Sequence, residues 1–259
     1  MRTSSVLVAL AALAAVFFAL PLVGLLAEAP WSAVTTTLLS PRVASAAAIS
    51  LVASASAVVL GLALAFPLAW VLARTRFRGR RWLRGLVLLP MVLPPVVAGV
   101  GLLTAFGRRG LLGGALDAMG ISIPFTTVAV VLAATFVSTP FLVVTLEAGL
   151  AGLDRRLEDA AATLGASDAR ILVTVVLPGL APSIAAGVAL AWTRALGEFG
   201  ATITFAGNLR GRTQTLPLAV YETLQTDAGA AIAISLALLA ICLLAVVAVR
   251  GGLFREPPL

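Results

Sequence analysis

The chain has 259 residues, 61% of them hydrophobic, with a mean hydropathy of +1.10 and a formal net charge of +7. That much apolar surface excludes a soluble domain of this size and marks an integral membrane protein. All 18 basic residues are arginine, so there is no lysine for a G-x-x-x-x-G-K-[ST] phosphate loop, and no histidine and one cysteine (Cys242) leave no material for a metal centre, a His-based triad or an internal disulfide.

In chain order, 6–27 carries no charge and reaches roughly 33 Å as a helix at ~1.5 Å per residue, enough to cross a bilayer. Ala27-Glu28-Ala29 is similar to a signal-peptidase site. The apolar run is too long for a leader, however, and Pro30 follows it, so 6–27 is read as a retained first span. The second span is 43–73. RTRFRGRRWLR then sets six arginines between Arg74 and Arg84, read as a cytoplasmic topology anchor rather than a nucleic-acid site. The third span, 85–107, is interrupted by Pro90, Pro94 and Pro95 and is expected to kink. A Gly-rich turn, 108–121, leads to a fourth span, 122–146, with Pro140 inside. A charged loop, 154–178, precedes a fifth span, 181–206. A polar connection, 207–227, turns helical at Pro217, and 228–249 is the sixth span. The expected fold is therefore all-α, one transmembrane domain over 1–259 with about six helices.

Six spans place both termini on one side. Twelve arginines fall with the termini and the loops at 74–84 and 150–170, five fall in the opposite loops, and Arg194 lies within a span. The positive-inside rule puts the termini and the charged loop in the cytoplasm.

The loop 154–178 is the longest island of mixed charge. Asp154 suits an N-cap, and Leu157, Ala160, Ala161 and Leu164 share one helical face, with Arg155, Arg156 and Asp159 away from it. Gly165 suits a left-handed C′ position, Ser167 can cap a second helix, and Pro178 is expected to close the run. Asp159-Ala160-Ala161, then Gly165, then Val175-Val176-Leu177-Pro178, resembles the EAA loop of ABC-importer permeases. Asp159 stands where that family has Glu, Val175 where it has Ile, and Glu158 is placed to cover for Asp159. The resemblance implies that Glu158, Asp159, Ala160, Ala161, Gly165, Leu177 and Pro178 belong to a coupling loop seated in a groove of an ATP-hydrolysing subunit. The plainer reading is an amphipathic interfacial helix without a partner.

In the fifth span, ALGEFGATITFAGN holds Arg194 and Glu198. An arginine at a span centre costs about 2.5–3.5 kcal/mol, so it should face protein or water, with Glu198 one turn on as its partner. Gly197 and Gly200 permit close helix approach. Two readings stay open: a structural ion pair, or a face of the translocation path that meets an anion. This segment and the following RTQTLPLAVYETL resemble the molybdate permease (ModB) type, within the molybdate/tungstate/sulfate group.

The resemblance implies an ABC importer type I permease fold and a homodimer with the path along its interface. It implies two cytoplasmic ATP-binding subunits that hold the ATP and Mg, and an extracytoplasmic oxyanion-binding protein. The chain itself is then a cell-membrane transport subunit without cofactor, metal or catalytic residue, surrounded by lipid and binding no nucleic acid. Arg210, Arg212 and Gln214 are expected to face the binding protein, while Leu218, Tyr221 and Leu224 pack onto the span ends. The rivals are a sulfate or tungstate permease, an ion-coupled secondary transporter, which needs embedded acids or histidines where only Glu198 is clearly present, and a membrane-embedded enzyme.

Overall fold

The computed structural model describes residues 5–253, and every regular element among them is helical. Arg2 and Arg255, counted above for topology, lie outside the described residues. The elements are α1 (Ser5–Ala27), α2 (Trp31–Leu38), α3 (Pro41–Arg74), α4 (Arg80–Val92), α5 (Pro95–Phe106), α6 (Gly113–Ala118), α7 (Thr127–Gly152), α8 (Arg155–Thr163), α9 (Asp168–Ile171), α10 (Leu177–Leu196), α11 (Gly200–Phe205), α12 (Leu216–Leu224) and α13 (Ala228–Leu253).

The bundle is built around α7, which packs between α3 and α10. Ser40 opens α3 by accepting a hydrogen bond from the Val43 amide, with Pro41 in the first turn. Along α3 a stripe of small residues, Ala46, Ala53, Ala57, Ala65 and Ala69, is fully buried. Opposite it α7 buries Ala129, Ala133, Val137, Leu142, Leu146 and Leu150. Lipid tails are as apolar as leucine, so helices in a bilayer gain little from leaving them. Small residues instead let two backbones come close enough for dispersion to hold them. Helix α1 has no buried residue and lies only lightly against α13.

By length and composition α1, α3, α7 and the run Asp168–Leu196 can each cross a membrane, and α4 with α5 counts as a fifth crossing if taken as one span. The sixth expected span, 228–249, falls on α13, which runs over Ala228–Leu253.

Several boundaries differ from the sequence-based expectation, each for a local reason. The stretch 85–107 is broken rather than kinked: α4 and α5 diverge by 117°. Leu93 and Pro94 are extended there, because each precedes a proline. The expected 181–206 span divides. Its helix ends at Leu196, and Gly197–Phe199 separate it from α11. Pro178 does not close the loop. It lies in the first turn of α10, and a π turn, Leu172–Val176, joins α9 to α10 in one run. The Leu177 amide reaches the Leu172 carbonyl across that π turn, and Pro178, in the first turn of α10, has no N–H to donate. Helix α2 begins directly after Pro30 and was not anticipated.

Candidate functional site

Three charged places organise the molecule: the loop ahead of α9, the break after α10, and the connection before α12.

The loop is built by its caps. Asp154 accepts from the Arg156 amide at 3.0 Å and opens α8. At the other end Gly165 adopts φ +81. The Ala166 amide then reaches the Ala161 carbonyl at 3.1 Å and the Gly165 amide reaches Ala162 at 2.9 Å, a Schellman closure. Ser167 accepts from the Arg170 amide and starts α9. No residue of α8 is buried, and the apolar face foreseen in the sequence is open: Leu157 is 58% and Leu164 88% exposed. Helix α8 therefore leaves Leu157 and Leu164 bare, while Ala161 on the same face packs against the core.

Two neighbouring acids of the loop, Glu158 and Asp159, stand differently. Glu158 turns inward to Arg74 at 2.5 Å, and Arg74 in turn lies over the Trp70 ring at 5.8 Å. Glu158 thereby anchors α8 to the end of α3. Asp159 is exposed and has no ion partner among the described residues. A second clamp ties α4 to α7, where Glu147 pairs with Arg84 and stands 3.9 Å from Arg80. Leu177 and Pro178 are not part of the exposed knob, since they sit a π turn further along the helix.

That helix carries the chain from the loop to the break. Asp168–Leu196 is 29 residues, roughly 43 Å at ~1.5 Å per residue. Arg194 lies in its last turn. Glu198, 2% exposed, accepts from the Ala201 amide at 2.7 Å through Oε1 and meets Arg194 Nη1 at 2.5 Å through Oε2. The second contact is a close ion pair rather than an aligned hydrogen bond. One carboxylate therefore neutralises the arginine and holds the first turn of α11. The Arg194 side chain remains 29% exposed.

The two broken runs cross at their breaks. A Cβ on Gly200 would stand 2.6 Å from Pro95 Cβ, and one on Gly99 would stand 2.7 Å from Thr204 Cβ and 2.8 Å from the Ala201 carbonyl. Gly200 allows the close approach expected of it, and Gly99, which the sequence did not single out, completes it. Gly197 is exposed and faces no neighbouring helix.

The third place is a polar knot. Glu222 of α12 accepts from Arg210, from Asn208 at 3.1 Å and from Gln214, and Arg42 of α3 lies 3.2 Å away. The Arg210 hydrogen bond, with Arg42 and Gln214 in support, holds the Glu222 carboxyl below its usual pKa against the opposing effect of burial. Gln214 is 1% exposed and bonded to Asn208, so it does not face outward as expected, whereas Arg210 and Arg212 do. The expected stripe on α12 also divides: Leu218 is buried with Leu216 and Ala219, while Tyr221 and Leu224 are exposed, Tyr221 against Phe199. A helix wheel placed that stripe without knowing that the polar knot fixes the rotation of α12. No group of three or more metal-ligating side chains occurs among the described residues.

Residues 57–251 match the family model described as "Binding-protein-dependent transport system inner membrane component". The molybdenum transport system permease protein ModB of Mycobacterium tuberculosis is 48% identical over 234 residues, 90% of this chain and 89% of that protein. The sulfate transport system permease protein CysT of Escherichia coli is 38% identical over 220 residues, 85% of this chain and 79% of that protein. Among solved structures, a chain of a bacterial alginate ABC transporter in complex with its pentasaccharide-bound periplasmic protein superposes with a TM-score of 0.73 at 16% identity, covering 96% of this chain and 94% of the other.

Proposed function

The chain belongs to the family of binding-protein-dependent transport system inner membrane components, and from that premise we propose that it is the permease of an ATP-driven importer that carries molybdate inward. The identity to permeases named for molybdenum transport supports the ion, and the 38% identity to a sulfate permease keeps sulfate as the second reading. Two copies would form the path along their shared face, with an ATP-binding subunit docked under each and an extracytoplasmic binding protein delivering the oxyanion. ATP and Mg would belong to the partner subunits. Both termini and α8 would lie in the cytoplasm.

The observation that carries the mechanism is the single helical run Asp168–Leu196. Its lower end follows the exposed α8 and its upper end holds Arg194 and Glu198. Closure of the ATP-binding subunits would push on Leu157, Asp159, Ala160 and Leu164. The Arg74–Glu158 and Arg84–Glu147 clamps would then pass that push to α3, α4 and α7 instead of letting α8 swing freely. At the far end the run meets the crossing of α5 with α11, where a rigid tilt changes access. Arg194 offers a planar fork of donors to an oxyanion dianion, and Glu198 limits the attraction so that the ion can leave.

The test is reconstitution in proteoliposomes with an ATP-binding subunit and an oxyanion-binding protein from the same source. Molybdate uptake that requires internal-face ATP and is competed by tungstate more than by sulfate is the expected result. Uptake driven by an ion gradient without ATP would overturn the importer reading, and preferential sulfate uptake would move the substrate to the second reading.

A further inference from the structure

The arginine-rich turn between α3 and α4 has more charge than its clamps use. Arg74, Arg80 and Arg84 are committed to Glu158 and Glu147. Arg76, Arg78 and Arg81 are exposed and without an acidic partner among the described residues. Arg76 and Arg81 line a concavity of about 430 Å³ with Phe77, Gly79 and Trp82. Gly79 turns the chain there with φ +97 and no side chain caps the start of α4; the Arg80 amide bonds to the Phe77 carbonyl, while the amides of Arg81 and Trp82, two residues that line the concavity, have no capping side chain. Trp82 is 85% exposed. An indole that open at the edge of an apolar helix suits the bilayer interface, where its ring meets acyl chains and its N–H meets water.

Below this cradle runs an apolar groove. Trp82, Leu86 and Pro90 lie at i, i+4 and i+8 on α4 and so share a face. The groove, about 330 Å³, is lined there by Leu86 and Pro90, across from Leu64 and Leu68 of α3 and Phe136 of α7. It fills the angle left by the 117° break between α4 and α5. Cationic cradle, interfacial ring and apolar groove thus follow one another down a single helix.

We propose that this face binds one anionic phospholipid of the surrounding leaflet, its phosphate held by Arg76, Arg81 and the start of α4, and one acyl chain laid along Leu86 and Pro90. A basic pocket at a span end next to an apolar groove is complementary to both halves of such a lipid. A free oxyanion fits the cradle but has no use for the groove, and an acidic protein surface would have to displace lipid to reach it. The site depends on the chain being embedded in a membrane and not on which ion it carries, so its failure would leave the uptake assay unaffected.

The experiment is retention of lipid by the full-length permease, exchanged from nanodiscs of phosphatidylcholine containing a minor share of phosphatidylglycerol into mild detergent and read by native mass spectrometry. Wild type is expected to hold phosphatidylglycerol at least tenfold over phosphatidylcholine. The triple variant Arg76→Gln, Arg78→Gln, Arg81→Gln is expected to bind it about 100-fold more weakly, at about fivefold for each arginine. These three side chains are solvent-facing and unpaired, so the variant should fold. Leu86→Trp, which crowds the groove, should keep the headgroup preference but abolish the advantage of long-chain over short-chain phosphatidylglycerol. Equal retention of the two phospholipids, or undiminished retention by the triple variant, overturns the proposal. Displacement of the lipid by molybdate or inorganic phosphate alone would make the cradle an oxyanion site. Loss of ATP-binding-subunit co-purification in the triple variant, with lipid retention intact, would make it a protein dock.

Discussion

The loop at α8 and the break at Glu198 lie at the two ends of one helical run, and they are built on opposite terms. The loop is local. Asp154, Gly165 and Ser167 close it within their own turns, and Leu157 and Leu164 of its apolar face are left bare. The break is non-local. Glu198 is buried, α11 is six residues long, and it is held by α5 arriving from a hundred residues earlier. A surface that must dock and release needs a shape it can keep alone. A hinge inside the membrane has to satisfy every polar group from within the protein, because lipid offers none. The contrast predicts that damage at the break lowers folding, whereas damage at the loop lowers partnership while folding is kept.

The largest effect should come from Arg194→Gln, which leaves a buried carboxylate without its cation and should cost about 3–5 kcal/mol. Thermal melting of the purified permease should fall and yield with it. Glu198→Gln should cost less, since the amide oxygen can still accept from Ala201 and Arg194 is partly exposed. The double change to Gln at both positions separates the two readings of the pair. Recovery of stability with transport still absent supports Arg194 as a contact on the path. Recovery of both makes the pair a helix-orienting device only.

Gly200→Val comes next. Its side chain would meet Pro95 and the Val96 backbone, and overpacking of this kind costs about 1–3 kcal/mol. Gly165→Val is smaller, about 1–2 kcal/mol, and acts differently. Nothing surrounds Gly165, so only its φ of +81 is at stake. The variant should insert and melt only a few degrees below wild type yet fail to co-purify the ATP-binding subunit, and Gly165→Asn, tolerant of that region, should restore it. Normal co-purification with Gly165→Val would break the comparison, because α8 would then not be the dock.

How far the sequence could be read follows the same division. Asp154, Gly165 and Ser167 were legible because capping is chemistry within three or four residues, and Arg194 with Glu198 because two charges four residues apart in an apolar run can meet, although Glu198 lies past the helix end at Leu196. The all-helical architecture was legible from apolar length. The inward turn of Glu158 was not, since nothing in LEDAAA says that Arg74, 84 residues away, arrives beside it. Nor was the role of Gly99, whose neighbours Thr204 and Ala201 belong to another run. Pro178 misled for a specific reason. Proline usually ends a helix, and the π turn that precedes it leaves no mark in hydropathy.

The smallest effect expected is at the polar knot, which sits outside both ends of the run and sharpens the contrast by sharing features of each. Like the break it joins distant segments, Arg42 with 208–214 and α12. Like the loop it is partly in water. Its carboxylate has a pKa below the ordinary glutamate value of about 4.3, while its arginine partners stay charged throughout. The sign follows. Unfolding lets Glu222 bind a proton more readily than the folded state does, so its contribution is complete above the unfolded value and disappears as the pH drops through the lower, folded one. Wild type should therefore melt above Glu222→Gln by about 2 °C at pH 7, as suits a partly exposed ion pair in a domain of this size, and the gap should close on acidification below the ordinary carboxylate range. Arg212, exposed and not bonded to Glu222, supplies the control, and Arg212→Gln should show no such pH-dependent gap. A gap between wild type and Glu222→Gln that persists unchanged in acid would mean that Asn208 and Gln214, rather than the arginines, hold α12 in its rotation.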